Sequence, residues 1–216
     1  MFIGHFAVGF GAKKAAPQVN LGTLFFASQF LDLIWPLFLI LGIEHAKIDP
    51  GNTAFTPFDF FDYPISHSLL TSIGWSVLIG GIFFYFKNNL RNSIIIGCAV
   101  FSHWILDFIT HKPDLPVAPG IRTVLGLGLW NSVTGTIVVE GALFFGAVFI
   151  YTKTTRSTDR VGNYALWGLI ALLLISYIAN IMLPTPPNMT AVAYAGLAQW
   201  IFIAWAYWID RHRLNR

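Results

Sequence analysis

The stretch Ser102 to His111 reads Ser-His-Trp-Ile-Leu-Asp-Phe-Ile-Thr-His, and its ionisable groups recur every four residues. On an α-helix, positions i, i+4 and i+8 drift by only about 40° per step, so His103, Asp107 and His111 share one face. Neighbouring members of such a row can chelate one ion, as a helical His pair at i and i+4 does in zinc proteases. The outer two are separated by about 12 Å of rise, too far for a single ion. Either Asp107 bridges two metals roughly 4 Å apart, or His111 stands behind the ligands and supports them.

Further ionisable groups interrupt apolar sequence elsewhere. Asp32 lies mid-way through Leu21–Ile43, Glu140 lies within Ser132–Tyr151, His67 opens the run from Ile65, and His5 lies among the first dozen residues. Such groups are costly inside a bilayer, so each is a functional candidate. A lone intramembrane His or Asp also serves as a helix–helix hydrogen-bond partner, and Glu140 has Asn180 or Gln29 as candidates for that role. The joint set favours a site. His5, Asp32, His67, His103 and Asp107 are the candidate metal ligands, with His111 and Glu140 as candidate proton acceptors. His and carboxylate donors suit zinc first, then manganese or iron. Ser66 and Ser68, which flank His67, are expected to be caps or supports for a ligand; nothing nearby marks a Ser-His-Asp nucleophile.

The elements that must position these groups are membrane helices. Of the 216 residues 56% are apolar and 11% charged, with a mean hydropathy of +0.65, whereas soluble domains carry about a quarter charged residues. Six runs reach the roughly 20 residues a spanning helix needs: 21–43, 65–86, 93–111, 132–151, 163–183 and 191–209. The expected fold is therefore all-α, a polytopic bundle of about six spans in one integral membrane domain. Residues 1–130 form the metal-site half and residues 131–216 the supporting helices. The first dozen residues are too short to span. Gly4, Gly9 and Gly11 thin one face, so a short helix packed into the bundle is expected, with an interfacial helix as the alternative. Lys13 and Lys14 follow this stretch rather than precede it, unlike a secretory signal. The net charge of +3 gives no nucleic-acid footprint, and the single Cys98 excludes an intrachain disulfide.

Charge orients the bundle. Ten of the thirteen Lys and Arg fall on the face that holds both termini, so both ends are expected to be cytoplasmic. Asp32 then stands about 16 Å, and His103 about 15 Å, along their spans. His67 enters from the other side at the level of Asp107 or His111. Two long exterior loops, Glu44 to Pro64 with its five aromatics and the Gly- and Pro-rich Lys112 to Asn131, are read as a lid over the pocket or as interfacial anchors. Gly126-Leu127-Gly128 is expected to be a flexible loop.

With these residues in place, the chain resembles the membrane-bound metal-dependent hydrolase family, the YdjM-like inner-membrane proteins. Four stretches carry the resemblance: Gly4-His5-Phe6-Ala7-Val8-Gly9, the acidic position Asp32, Ser66-His67-Ser68, and Ser102-His103 through Asp107 to His111. It covers roughly the first 130 residues. The chain departs from the family pattern in having Leu31-Asp32-Leu33 where a longer acidic cluster is usual. It also lacks the family's Arg-containing His-Arg and Thr-His-Ser run, having Tyr63-Pro64-Ile65-Ser66-His67-Ser68 instead. Both departures point to a mononuclear centre. The His-x-x-x-Asp element is also similar, over a short stretch, to the zinc-dependent phospholipase C and single-strand nuclease group. The resemblance implies a metal-dependent hydrolase of the bacterial inner membrane without naming a substrate. The short phospholipase-like element points to phosphoester chemistry, and a pocket half-way into the exterior leaflet under aromatic loops points to an ester or phosphoester of a lipid-like or amphipathic substrate. The alternative function is a small transporter for metal ions or protons that uses the same His and Asp residues, although no paired halves of the kind common in transporters are visible.

Overall fold

The computed structural model describes all 216 residues. Its helices are α1 (Phe2–Ala15), α2 (Leu21–Ile40), α3 (Pro64–His67), α4 (Leu69–Lys87), α5 (Leu90–Thr110), α6 (Val133–Thr154), α7 (Arg160–Met182), α8 (Met189–Leu197) and α9 (Gln199–Arg211). Three two-stranded ribbons join them: β1 (His45–Ile48) with β2 (Phe58–Asp62), β3 (Leu115–Pro116) with β4 (Val124–Leu125), and β5 (Thr155–Ser157) with β6 (Arg213–Asn215), all antiparallel. The architecture is an all-α bundle. Helices α2, α4, α5, α6 and α7, together with the α8–α9 pair, are long and apolar enough to cross a membrane. Large apolar side chains cover the outside, among them Val77, Tyr85, Phe145, Phe149, Ile175 and Met182. Water does not tolerate so extensive an apolar exterior on a monomer, and lipid does. The chain is a multi-pass membrane protein.

Two expected spans are interrupted. Ser68 takes an extended backbone and its side chain accepts from the Thr71 amide, so it caps α4 and separates α3 from it. Ser68 is thus a cap, as expected. The last span is divided at Ala198, between α8 and α9, where the backbone stays right-handed (φ −61°, ψ −16°) and Met189–Arg211 remains one candidate span.

Helix α2 is the hub. One of its faces packs Leu21, Phe25 and Leu33 into a core with Phe6, Phe10, Phe144, Tyr151 and Leu169. Its other face packs Leu24, Leu31 and Trp35 against Ile96, Val100, Trp104 and Tyr63. Helix α1 lies inside the bundle, against α2, α5 and α6, rather than flat at an interface. Gly9 permits this, because a Cβ there would stand 2.5 Å from the Phe25 ring. Phe25 closes edge-to-face on Phe6 and Phe10 at 5.0 and 4.8 Å, a favoured aromatic geometry. At the far end of α1, buried Lys13 donates to Asp210 at 2.7 Å and to the Val19 carbonyl at 2.8 Å. Asp210 also accepts the Leu21 amide. One carboxylate thereby ties α9 to the end of α1 and the start of α2, satisfying a helix-terminal N–H that lipid could not.

The segment 126–128 is pinned rather than flexible. The Leu127 amide donates to the Phe108 carbonyl and the Gly128 amide to the His111 carbonyl, pairing carbonyls that the end of α5 leaves without helical partners. Gly126 has φ +155°, and a Cβ there would lie 2.2 Å from the Lys112 carbonyl oxygen, so the docking needs glycine.

Candidate metal centre

The five candidate ligands converge. Asp107 is the focus, held nearly water-free on α5. Its Oδ1 lies 3.0 Å from His5 Nε2, delivered by α1, and its Oδ2 lies 3.2 Å from His103 Nε2, one turn earlier on α5. Asp32, from α2, places Oδ1 3.6 Å from His103 Nε2 and 3.5 Å from His67 Nε2. His67 Nε2 is also 3.8 Å from Asp107 Oδ2. The His5 and His103 rings stack at 3.5 Å, 6° from parallel. The Met1 amino group stands 2.8 Å from Asp107 Oδ1. Two overlapping groups, His5–His103–Asp107 and Asp32–His67–His103, each bring their donor atoms within 4.8 Å of one another. The buried His5–His103–Asp107 group could hold a metal ion.

The hydrogen bonds on the far sides of the rings define which nitrogen faces inward. His103 Nδ1 lies 2.9 Å from the Ser28 carbonyl oxygen, which can only accept. His103 Nδ1 therefore carries a proton, and buried Nε2 is the nitrogen that faces the carboxylates, with no hydrogen-bond partner. His67 Nδ1 meets Ser66 Oγ at 2.7 Å, and Ser66 Oγ meets Glu44 Oε2 at 2.5 Å. A carboxylate accepts, so the hydroxyl donates to Glu44 and receives the proton of His67 Nδ1. His67 Nε2 is thereby also the inward nitrogen, directed at Asp32. Two imidazole Nε2 atoms thus face two carboxylates. That juxtaposition calls for positive charge among the four, from a metal ion or a protonated imidazole, beside the Met1 amino group already on Asp107 Oδ1, and histidines fixed through Nδ1 by a carbonyl or a carboxylate relay are a common support for metal ligation. The four histidine–carboxylate separations of 3.2–3.8 Å bracket the roughly 3.3–3.6 Å between tetrahedral ligands at zinc–N/O bonds of about 2.0–2.2 Å, and the donors fall into two overlapping groups of three rather than one group of four.

Glu44 was not visible as a site residue in the sequence. It is fully buried, and its Oε1 accepts both the Ile65 and Ser66 amides at 2.7 Å. It clamps the first turn of α3 and orients Ser66, which is a support for a ligand as expected.

His111 is not among the ligands. Residue 111 leaves the helix with an extended backbone (ψ 146°), ahead of Lys112-Pro113, because proline disfavours a helical residue before it and cannot extend the turn. Its Nδ1 bonds Asp114 Oδ1 at 2.9 Å, and its ring packs on Trp130 with centroids 4.2 Å apart. Tyr63 donates to the same Asp114 oxygen at 3.0 Å. Burial, reinforced by the Asp114 carboxylate, holds the Tyr63 hydroxyl well above its ordinary pKa, so it stays a donor. Committing the Nδ1 proton of His111 to Asp114 leaves Nε2 as its base.

Glu140 is not brought to the pocket. It is buried on α6, where Oε2 accepts the Gly4 amide at 3.3 Å, beside the positive end of the α1 dipole. It bonds neither Asn180 nor Gln29, and it fixes the helix that delivers His5.

A cavity of about 140 Å³ lies above the cluster, lined by Asp32, His67, Asp107 and His111 and roofed by aromatics that include Phe60, Tyr63 and Trp130. The two long loops therefore cover the site, through the β1–β2 ribbon and the Trp130 turn. Comparison of the chain with protein-family models, with curated proteins and with solved structures returned no match.

Proposed function

We propose that the protein is a metal-dependent hydrolase of the bacterial inner membrane, with both termini cytoplasmic and one zinc ion among His67, His103, Asp32 and Asp107. The convergence of two imidazole Nε2 atoms on two carboxylates, with both Nδ1 atoms held from behind, carries this reading. His103 has one free nitrogen, so the two overlapping groups share an ion rather than each holding one through it. His5 steadies the second oxygen of Asp107 at 3.0 Å. The resemblance to the YdjM-like hydrolases in the same residues supports the reading, and the bias of Lys and Arg supports the orientation.

A bound zinc ion would polarise a phosphoryl or acyl oxygen and bring the pKa of a ligated water towards about 7. His111, held by Asp114, accepts the water proton through Nε2 and returns it to the leaving oxygen. The water oxygen joins phosphorus or the acyl carbon as the ester bond breaks, and Tyr63 keeps its proton to hold Asp114 in place. The aromatic roof limits bulk water.

Elemental analysis of the purified protein beside His103→Ala and Asp107→Asn tests the centre. About one zinc per chain, lost in both variants, is expected; a metal-free wild type would refute it. Turnover of ester and phosphoester lipids by the zinc-loaded protein tests the reaction, and inactivity across both classes removes the hydrolase reading.

A further inference from the structure

The cavity over the cluster has a side exit. A second cavity of about 400 Å³ shares Phe2, Asp32, Trp35, Phe58, Phe60 and Asn180 with it. From Asp32 it runs outward between α7, at Ser176 and Asn180, and α8, at Val192 and Ala195. This gap is built into the fold. Helix α8 packs on α2 and α9 packs on α7 and α2, while α7 and α8 have no extended packing. Gly196 draws α8 onto α2, since a Cβ there would stand 2.6 Å from Pro36 Cγ. The segment Pro184-Thr185-Pro186-Pro187 carries the chain away from the end of α7 instead of folding it back. Beside these lining residues in sequence, Ile175 and Ile178 on α7 and Tyr194 on α8 are exposed. All three, like the lining residues Ser176, Asn180, Val192 and Ala195, lie on candidate spans, which places this side of the cavity against the helices that would meet hydrocarbon.

The two ends of this passage differ in chemistry. Along α8 and α9 the walls are apolar, with Val192, Ala195 and Phe202. At its inner end stand Asp32 and the ion site, with the Asn180 amide at the junction. The buried amide oxygen of Gln199, also on the groove wall, has no hydrogen-bond partner. An occupant matching both ends has a hydrocarbon chain and one polar head. We propose that the groove between α7 and α8 is a lateral entrance for a membrane lipid, whose chain lies along α8 while its ester or phosphoester head reaches the ion site. The proposal rests on the metal-hydrolase reading and adds the route and the substrate class.

The test uses zinc-loaded protein in liposomes and a photoactivatable long-chain alkyl hydroxamate, whose head chelates zinc and whose tail carries a diazirine. Labelling mapped by mass spectrometry is expected on Ser176–Asn180 of α7 and on Val192–Gln199 of α8. Excess acetohydroxamate should displace it. Ala195→Trp and, from the opposite wall, Ser176→Trp should abolish it at unchanged zinc content and melting temperature. A long-chain alcohol with the same diazirine should not label selectively. Labelling spread equally over the lipid-facing side of α4 around Val77, or insensitive to acetohydroxamate and to both tryptophans, would overturn the groove while the hydrolase reading stood. Failure of the protein to bind zinc would overturn both.

Discussion

Glu44→Gln changes one atom of a buried group that touches no ligand, yet it should weaken metal binding by reversing a histidine. In the native protein Glu44 accepts three protons: two backbone amides on Oε1 and the Ser66 hydroxyl on Oε2. A glutamine must keep its oxygen toward the two amides, because turning its NH₂ group to them would leave two buried donors unpaired. Its nitrogen therefore faces Ser66. Ser66 Oγ now accepts from that nitrogen and turns its own proton to His67 Nδ1, 2.7 Å away. The His67 proton moves to Nε2, where it donates to Asp32 Oδ1 across 3.5 Å. The metal-free cluster gains a hydrogen bond and the metal loses a ligand. Restoring the native tautomer costs a hydrogen bond to a charged acceptor, about 1.5–3 kcal/mol, or roughly 10- to 150-fold in affinity. That range overlaps the roughly 10- to 100-fold losses typical of groups that orient metal-bound histidines.

The assay is zinc titration of the purified protein against a fluorescent chelator, with thermal unfolding of the metal-free form alongside. Glu44→Gln should weaken zinc by this factor while the metal-free protein melts no lower than wild type, and ¹⁵N imidazole shifts should report an Nε2–H tautomer at His67. Ser66→Ala should weaken zinc about tenfold without the new tautomer. Wild-type zinc affinity in Glu44→Gln, or a loss of metal matched by collapse of the metal-free fold, would refute the relay.

Other expectations follow from separate parts of the molecule. His5→Ala should lower zinc affinity by about 10- to 100-fold without abolishing binding, as befits a group that steadies a ligand, whereas His103→Ala should abolish it; the same chelator titration separates the two. Glu140→Gln should retain catalysis once zinc is saturating, because its carboxylate holds the Gly4 amide and is not brought to the cavity; a large fall in turnover at saturating zinc would return it to the proton-transfer path. Helices α4 and α5 cross where a Cβ on Gly97 would lie 3.1 Å from the Ser76 carbonyl, so Gly97→Leu should destabilise the protein by about 1–3 kcal/mol, seen as a lower melting temperature in detergent. Asp159 caps α7, and the Gly162 amide, followed by His212, lowers its pKa. A depressed folded-state value means that the cap contributes stability above the ordinary carboxylate range and loses it as pH falls through the lowered value. The melting difference between wild type and Asp159→Asn should therefore be present at pH 6 and shrink below about pH 4.

The sequence carried the site where its geometry is local, and hid it where partners come from afar. His103 and Asp107 are neighbours by helix periodicity alone, and their mutual approach follows from four-residue spacing. Asp32, His5 and His67 could be placed by depth, because a helix converts residue number into height, and all three arrive near Asp107. His111 shows the limit of periodicity: its spacing promises the same helix face, but the helix stops at Thr110 and the side chain turns to Asp114. Glu44 had no signal, since only tertiary folding brings a loop carboxylate back onto Ser66. The same reason hid the role of Glu140, because the face of α6 that meets α1 is decided by packing. Of the two span interruptions, Ser68 carries a capping residue type followed by Leu-Leu-Thr, whereas Ala198 has only Gly196 two residues before it as a signal.

The interruptions are where the site is made. Pro36 has no N–H, so the carbonyl of Asp32, four residues earlier, has no intrahelical donor, and the helix is loosened at the residue that faces both cavities. The extended backbone at Ser68 lets α3 take its own direction, which turns His67 inward while α4 continues along the outside. The stop at Thr110 releases His111 to Asp114, and the break at Ala198 separates the α8 wall of the groove from the α9 helix that closes the core. Non-helical backbone at membrane depth is tolerable only where protein or a polar cavity satisfies it, and here the Glu44 carboxylate, the 127–128 amides and the capping serine do so. A bundle of uninterrupted helices could carry the same histidines and aspartates, but it would aim them along regular faces at one another's backbones. It would leave neither the inward Nε2 atoms of His67 and His103 nor an opening through which a lipid head could reach them.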